Sequence, residues 1–229
     1  MSEQTPVPTL GQSRTPIWLA VLLSLLAAGC GGDPPSVIEP VSGDAERIGR
    51  LWWVMLAISA VVFAVVLWLL IGSIIRRRRD PAGSRGEGIG RPLILWGGLI
   101  GPTVVLVGVF LLATFDLRAL SESGDPSVEV VVSGEQWWWE VRYPETEAVT
   151  ANEIHVPAGE EILFRLESGD VIHSFWVPQA GPKRDMIPGQ PNELVLSFDD
   201  PGVYRGVCAE FCGLQHAKMQ LSVVAQPRP

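Results

Sequence analysis

Between positions 208 and 219 the chain reads Cys208-Ala209-Glu210-Phe211-Cys212-Gly213-Leu214-Gln215-His216-Ala217-Lys218-Met219. Two thiols, an imidazole and a thioether stand in the spacing Cys-x3-Cys-x3-His-x2-Met. Soft-to-borderline donors of this kind favour copper over magnesium or calcium. A second imidazole is available at His173, within Asp170-Val171-Ile172-His173-Ser174-Phe175-Trp176-Val177-Pro178. It has to come from a distant strand. Four readings of this set stand side by side. Cys208 and Cys212 could close a disulfide in an oxidising compartment, which leaves His216 and Met219 as coincidence. A structural zinc takes Cys and His but has little use for Met219. A mononuclear blue-copper site uses one Cys, two His and an axial Met, and leaves one Cys spare. A dinuclear copper site uses all five side chains, with two bridging sulfurs and one imidazole for each metal.

The elements that must position these groups are short strands. Runs of strand composition are Val128–Val132, Gln136–Tyr143, Glu153–Val156, Glu161–Leu166, Val171–Val177, Glu193–Phe198, Val203–Val207 and Met219–Val224. Pro and Gly separate them, as in Pro157-Ala158-Gly159, Ile187-Pro188-Gly189 and Pro201-Gly202. With no helix of useful length among them, they predict a β-sandwich or barrel over residues 121–229, after a linker at 121–126. A sandwich can deliver His173 from one strand to a loop carried by another. Alternate residues of a strand face opposite sides. Trp137 and Trp139 are therefore expected on one face, and at least one of Trp137, Trp138 and Trp139 belongs to the core. His155 has no partner motif and reads as a surface residue. Lys218, between two candidate ligands, reads as solvent-facing.

The rest of the chain is of a different character. Of 229 residues, 47% are hydrophobic and 18% charged, with 17 basic against 25 acidic and a net charge of −8. The apolar residues concentrate before residue 120, which excludes a simple soluble globule. Residues 1–120 carry a net +2 and residues 121–229 a net −10. An acidic second half excludes a nucleic-acid binder as the default and attracts a basic partner. Three Cys cannot build a disulfide framework.

Three apolar segments divide the first half. Ile17 to Ala28 is too short to span a bilayer core of about 30 Å, and fits the apolar region of a signal peptide over residues 1–30. Leu26-Ala27-Ala28-Gly29-Cys30 resembles the lipobox of bacterial lipoproteins, which implies a lipid on Cys30. Leu51 to Ile75 is uncharged and, as a helix, about 37 Å long. It stops at Arg76-Arg77-Arg78-Arg79, a run that places this end in the cytoplasm. Leu93 to Phe115 is a second uncharged span, interrupted by Gly97, Gly98, Gly101 and Pro102 as a packed helix tolerates. Residues 31–120 thus read as a transmembrane hairpin, with residues 116–229 on the exterior side.

Taken together, the segments resemble subunit II of the bacterial haem–copper cytochrome c oxidases. Leader, two-span hairpin and copper domain follow that family's order. Gln136-Trp137-Trp138-Trp139 resembles its aromatic stretch, His173-Ser174-Phe175-Trp176-Val177-Pro178 its first ligand motif, and Asp185-Met186-Ile187-Pro188-Gly189 the loop after it. Cys208 to Met219 resembles its dinuclear CuA motif. The resemblance implies a mixed membrane/all-β protein: a two-helix transmembrane hairpin followed by a cupredoxin-like Greek-key β-sandwich, in the bacterial plasma membrane. It implies that Cys208 and Cys212 bridge two coppers. His173 and His216 would bind one each, with Met219 and the Glu210 carbonyl as weak ligands. The Glu210 side chain matches one that reaches a magnesium at the boundary with subunit I. Trp137 matches the residue through which cytochrome c delivers its electron, and Asp170 and Asp185 match acidic docking residues. Implied partners are subunit I with its haem and copper, subunit III, membrane lipid and a separate cytochrome c.

The chain itself would not reduce oxygen, since it carries no haem ligands and no second metal constellation. Seven residues before Pro102, where the family often has an acid, stands Leu95, so a proton-channel role finds no carrier. No Cys-x-x-Cys-His follows the copper motif, so no c-type haem is fused. Two other functions compete. Quinol oxidase subunits II share the fold but lack the copper ligands. A membrane-anchored copper-delivery protein needs labile, often Met-rich sites, whereas this chain has four Met.

Overall fold

The computed structural model describes residues 36–79, 90–121 and 126–227. Cys30, the expected leader, residues 80–89 and most of the expected 121–126 linker lie outside the described residues. Those described all belong to one compact unit, Pro35–Pro229.

Two long helices come first. Helix α1 (Gly43–Arg79) extends the expected span at both ends. Its start is set by Ser42, whose hydroxyl accepts the Ala45 N–H at 3.1 Å. Asp44 and Glu46 in the first turn complement the helix dipole. Helix α2 comprises Gly90–Pro92, a π-helical stretch Leu93–Ile100, and Gly101–Ser121. In the wider turn Gly101 N–H bonds Trp96 O. A Cβ at Gly101 would lie 2.8 Å from that oxygen, so glycine admits the close approach. Both helices are long and apolar enough to cross a membrane, and their apolar windows are 0% buried. Arg50 Nη2 and Asp116 Oδ1, 3.2 Å apart, tie the two helices together.

Ten strands follow: β1 (Val128–Glu135), β2 (Trp138–Tyr143), β3 (Ala148–Ala151), β4 (Glu153–Pro157), β5 (Glu161–Ser168), β6 (His173–Trp176), β7 (Arg184–Met186), β8 (Asn192–Ser197), β9 (Gly202–Cys208) and β10 (Gln220–Gln226). They form two five-stranded sheets in the orders β3-β2-β1-β5-β8 and β4-β10-β9-β6-β7. Parallel pairs β1/β5 and β4/β10 are non-consecutive. The chain therefore crosses between sheets, as the expected Greek-key sandwich requires.

Alternation builds the core. Ile162, Phe164 and Leu166 of β5 point inward, as do Leu221, Val223 and Ala225 of β10. Phe164 stacks on Phe175 at 5.2 Å between ring centres, and Trp139 meets Phe175 edge-on at 5.9 Å. Two strands went unforeseen, β3 and β7. Both are edge strands of three or four residues, too short to show a burial period. The expected strand Gln136–Tyr143 begins only at Trp138, because residues 136 and 137 form a turn. Trp137 and Trp139 consequently do not share a strand face. Trp139 is the core residue, fully buried.

Candidate metal centre

The sheet β4-β10-β9-β6-β7 carries the site at one end. His173 opens β6 and Cys208 closes β9, and these strands are paired through Phe175 and Cys208. The chain then leaves the sheet, makes a short 3-10 turn at His216–Lys218, and re-enters it as β10. Cys208 N–H donates to Met219 O at 3.0 Å, which closes the loop at its base. Ala209 N–H donates to Ser174 O at 2.9 Å, which fastens the loop to the strand bearing His173.

Within this frame the five side chains converge. The two sulfurs are 3.8 Å apart, and both thiols are free, so the disulfide reading is not realised. Cys208 Sγ lies 3.8 Å from His173 Nδ1, and Cys212 Sγ lies 3.7 Å from His216 Nδ1. Met219 Sδ is 3.7 Å from Cys212 Sγ, and the Glu210 carbonyl is 3.1 Å from Cys208 Sγ. His173, Cys208, Cys212 and Met219 are buried. A buried thioether aimed at the sulfurs suits copper and has little use in a zinc site. The donor set therefore fits copper.

The thiols differ in acidity. Burial opposes ionisation of Cys208, but hydrogen bonds from His173 and from the Glu210 and Ser174 backbone outweigh it and bring its pKa down to about 6. Burial and the neighbouring Cys208 charge push Cys212 up to about 11. One thiolate thus forms readily, while the second awaits a cation between the sulfurs.

Groups around these side chains hold them in place. Asp170 Oδ1 lies 2.9 Å from His173 Nε2. In the neutral ring, a proton on Nε2 held by this carboxylate leaves Nδ1 with the lone pair toward Cys208, the form a metal ligand takes. Asp170 also accepts the backbone N–H groups of Gln136 at 2.7 Å and Val171 at 2.5 Å. Burial works against the Asp170 carboxylate, yet these bonds hold it below the usual carboxylate range. Burial works against the charged His173 ring, yet its hydrogen bonds to Cys208 and to Asp170 raise it above the ordinary histidine value. Gly134 makes room for the ring, since a Cβ there would sit 2.9 Å from it. Gln136 Nε2 and Trp137 Nε1 both donate to Cys212 O, at 2.7 and 3.2 Å. Gly213, at φ +124°, lies against them, and a Cβ there would meet Gln136 Nε2 at 3.0 Å and the Trp137 ring at 3.2 Å.

The Glu210 carboxylate pairs with a lysine. Lys183 Nζ reaches it at 3.3 Å and reaches Asp185 Oδ1 at 3.2 Å, so these two acids share one patch. Phe211 and Leu214 project from the metal loop, 76% and 96% exposed. Lys218 is exposed, as expected, and His155 lies at the surface bonded to Glu153 at 2.6 Å. Sequence reasoning missed the structural tasks of Gln136 and Lys183 and the bond from Asp170 to His173. Only the three-residue spacing of Asp170 and His173 offered a signal.

The fold and the sulfur–imidazole cluster together define a class: a membrane-anchored, cupredoxin-like copper domain. Known proteins narrow it. The pattern described as cytochrome c oxidase subunit II, periplasmic domain, matches residues 147–226. A cytochrome c oxidase subunit 2 from Alkalihalophilus pseudofirmus is 34% identical over 220 residues, covering 90% of this chain and 63% of the relative. One from Bacillus subtilis is 32% identical over 225 residues, again with 90% and 63% covered. The chain thus spans 63% of the length of these curated relatives. Among solved structures, the periplasmic domain of subunit II of cytochrome oxidase from Bradyrhizobium japonicum aligns with a TM-score of 0.44 and 28% identity. That alignment covers 45% of this chain and 87% of the other. The chain is thus similar to cytochrome c oxidase subunits II over most of its length.

Proposed function

We propose that this chain is the electron-accepting subunit of a terminal cytochrome c oxidase, taking electrons from a c-type cytochrome and passing them to the haem-bearing subunit I. One observation carries the reading. Each of two sulfurs 3.8 Å apart has an imidazole Nδ1 of its own, at 3.8 and 3.7 Å. A mononuclear or zinc site has no need of that pairing. Cys208 and Cys212 would bridge two coppers, with His173 and His216 as terminal ligands and Met219 and the Glu210 carbonyl as weaker ones. Bound there, such a pair supplies a one-electron store shared between two metals.

The protein's own groups prepare that site. Asp170 and Gly134 fix the His173 ring, and burial keeps water from the sulfurs. Trp137, half-buried, donates its indole N–H to the backbone of Cys212, which supports it as the residue through which the electron arrives. Asp170 and Asp185 would contribute to the docking field, although Asp170 is already engaged with His173. The Glu210 carboxylate, paired with Lys183, would hold magnesium at the boundary with subunit I. Subunit III is a further partner in this reading. Arg76–Arg79 at the end of α1 supports a cytoplasmic hairpin loop and a copper domain on the exterior face of the plasma membrane. Burial of both thiols and of Met219 weighs against a copper-delivery role, which needs accessible ligands. The test is copper stoichiometry and electron paramagnetic resonance of the loaded chain. Two coppers and an unpaired electron split by two equivalent nuclei are expected. One copper with single-nucleus splitting overturns the dinuclear assignment.

A further inference from the structure

The amino end of α1 is bonded into the sandwich through two adjacent residues. Val41 packs against the core. Its N–H donates to Gln179 O at 2.9 Å, and its carbonyl accepts the Asp199 N–H at 3.0 Å. Ser42 is 2% exposed, and its hydroxyl makes two bonds at once. It donates to Ala180 O at 2.6 Å and accepts the Ala45 N–H at 3.1 Å. A hydroxyl has one hydrogen and two lone pairs, so neither bond competes with the other. The accepted bond caps α1. The donated bond fastens that cap to the loop between β6 and β7.

That loop belongs to the metal centre's support. It runs from β6, which carries His173, to Lys183, which spans Asp185 and Glu210. Ala180 N–H and Gly181 N–H close its turn onto Val177 O at 2.9 and 3.3 Å. Domains joined by a peptide linker move relative to one another unless an interface restrains them. We infer that Val41 and Ser42 form a latch that fixes the attitude of the metal-bearing sandwich on the first apolar helix, with Ser42 as its positioning residue. This inference stands independently of the electron-transfer reading, since it concerns only the joint between helix and sandwich.

Hydrogen exchange read by mass spectrometry on the full chain in lipid nanodiscs tests it. Ser42→Ala is expected to speed exchange about tenfold, the scale of a lost cap bond, at residues 41–46 and at 177–182 together. Amides of β5 and β10 serve as the folded reference and stay unchanged. Ser42→Thr keeps the hydroxyl and restores both segments. Ser42→Asp keeps an acceptor for the cap but has no hydrogen for Ala180 O, so the first turn of α1 stays slow while 177–182 speeds up. Val41→Pro removes the N–H given to Gln179 while leaving the Ser42 hydroxyl in place, and carries the test if the Ser42 variants fail to fold. It should speed 177–182 and leave residues 43–46 unchanged. Acceleration confined to 43–46 in Ser42→Ala, or an unchanged 177–182 segment in Ser42→Asp or Val41→Pro, overturns the latch and leaves an ordinary helix cap.

Discussion

Replacing Asp170 by Asn would separate two tasks that a single carboxylate performs. Both oxygens of Asp170 accept: Oδ1 from His173 Nε2 and the Val171 N–H, Oδ2 from the Gln136 N–H. Asn has nearly the same shape but only one acceptor oxygen. If that oxygen replaces Oδ1, the amide nitrogen meets the Gln136 N–H donor to donor. If the amide is flipped, its nitrogen faces His173 Nε2, and the imidazole must carry its proton on Nδ1. That tautomer presents no lone pair toward Cys208. Either way a backbone donor loses its acceptor, the Gln136 N–H in the first case and the Val171 N–H in the second, at a cost of about 1 kcal/mol. Substitutions of this kind behind a ligating histidine lower metal affinity about 10–100-fold. The assay is copper retention by the full chain against a graded chelator, alongside its thermal midpoint. Glu167→Gln, at a surface ion pair with Arg142, serves as the control for loss of one negative charge. The expected result is weakened copper retention and a lowered midpoint in Asp170→Asn, with Glu167→Gln close to the parent chain. Parent-like retention and midpoint in Asp170→Asn would refute the reasoning and leave Asp170 as a surface acid.

Further outcomes follow from the same geometry. Gly213→Ala places a Cβ at φ +124° and 3.0–3.2 Å from Gln136 and Trp137; a cost of about 1–3 kcal/mol should appear as a lowered thermal midpoint, and an unchanged midpoint would count against the tight loop. Trp137→Ala should slow the limiting electron-transfer rate from saturating cytochrome c while leaving salt dependence intact; an unchanged limiting rate makes Trp137 a packing residue. The bimolecular rate in the assembled oxidase should fall as salt shortens the Debye length from about 30 Å at 0.01 M to about 8 Å at 0.15 M. A flat profile would mean that the donor is not basic. Asp185→Asn should alter that rate only slightly, because Lys183 already faces the carboxylate at 3.2 Å. Reporter fusions after Arg79 should behave as cytoplasmic and those after Ser121 as exterior, and the reverse pattern would invert the topology.

Much of this protein was legible in its residues because the informative spacings are local. Cys208, Cys212, His216 and Met219 sit in one loop, so their convergence is encoded within a few residues of chain. Two long uncharged runs and four consecutive arginines state the apolar hairpin without any fold. Alternating apolar residues marked most strands, since a half-buried strand must repeat every second position. What escaped were features set by pairing between distant segments. Whether Cys208 and Cys212 lie as a disulfide or as free thiols depends on the imidazoles brought beside them by β6 and the 3-10 turn. The turn at residues 136 and 137 sends Trp137 to the metal loop and Trp139 to the core, although a strand pattern puts them on one face. Asp170 reads as a surface acid until the turn before β6 folds it back onto His173. Ser42 reads as a helix cap until the β6–β7 loop arrives to take its hydrogen. Asp170 and His173 are only three residues apart, but the others depend on sheet register and loop closure across tens to more than a hundred residues, and no local spacing carries that information, because the partner's position exists only once the sandwich has closed.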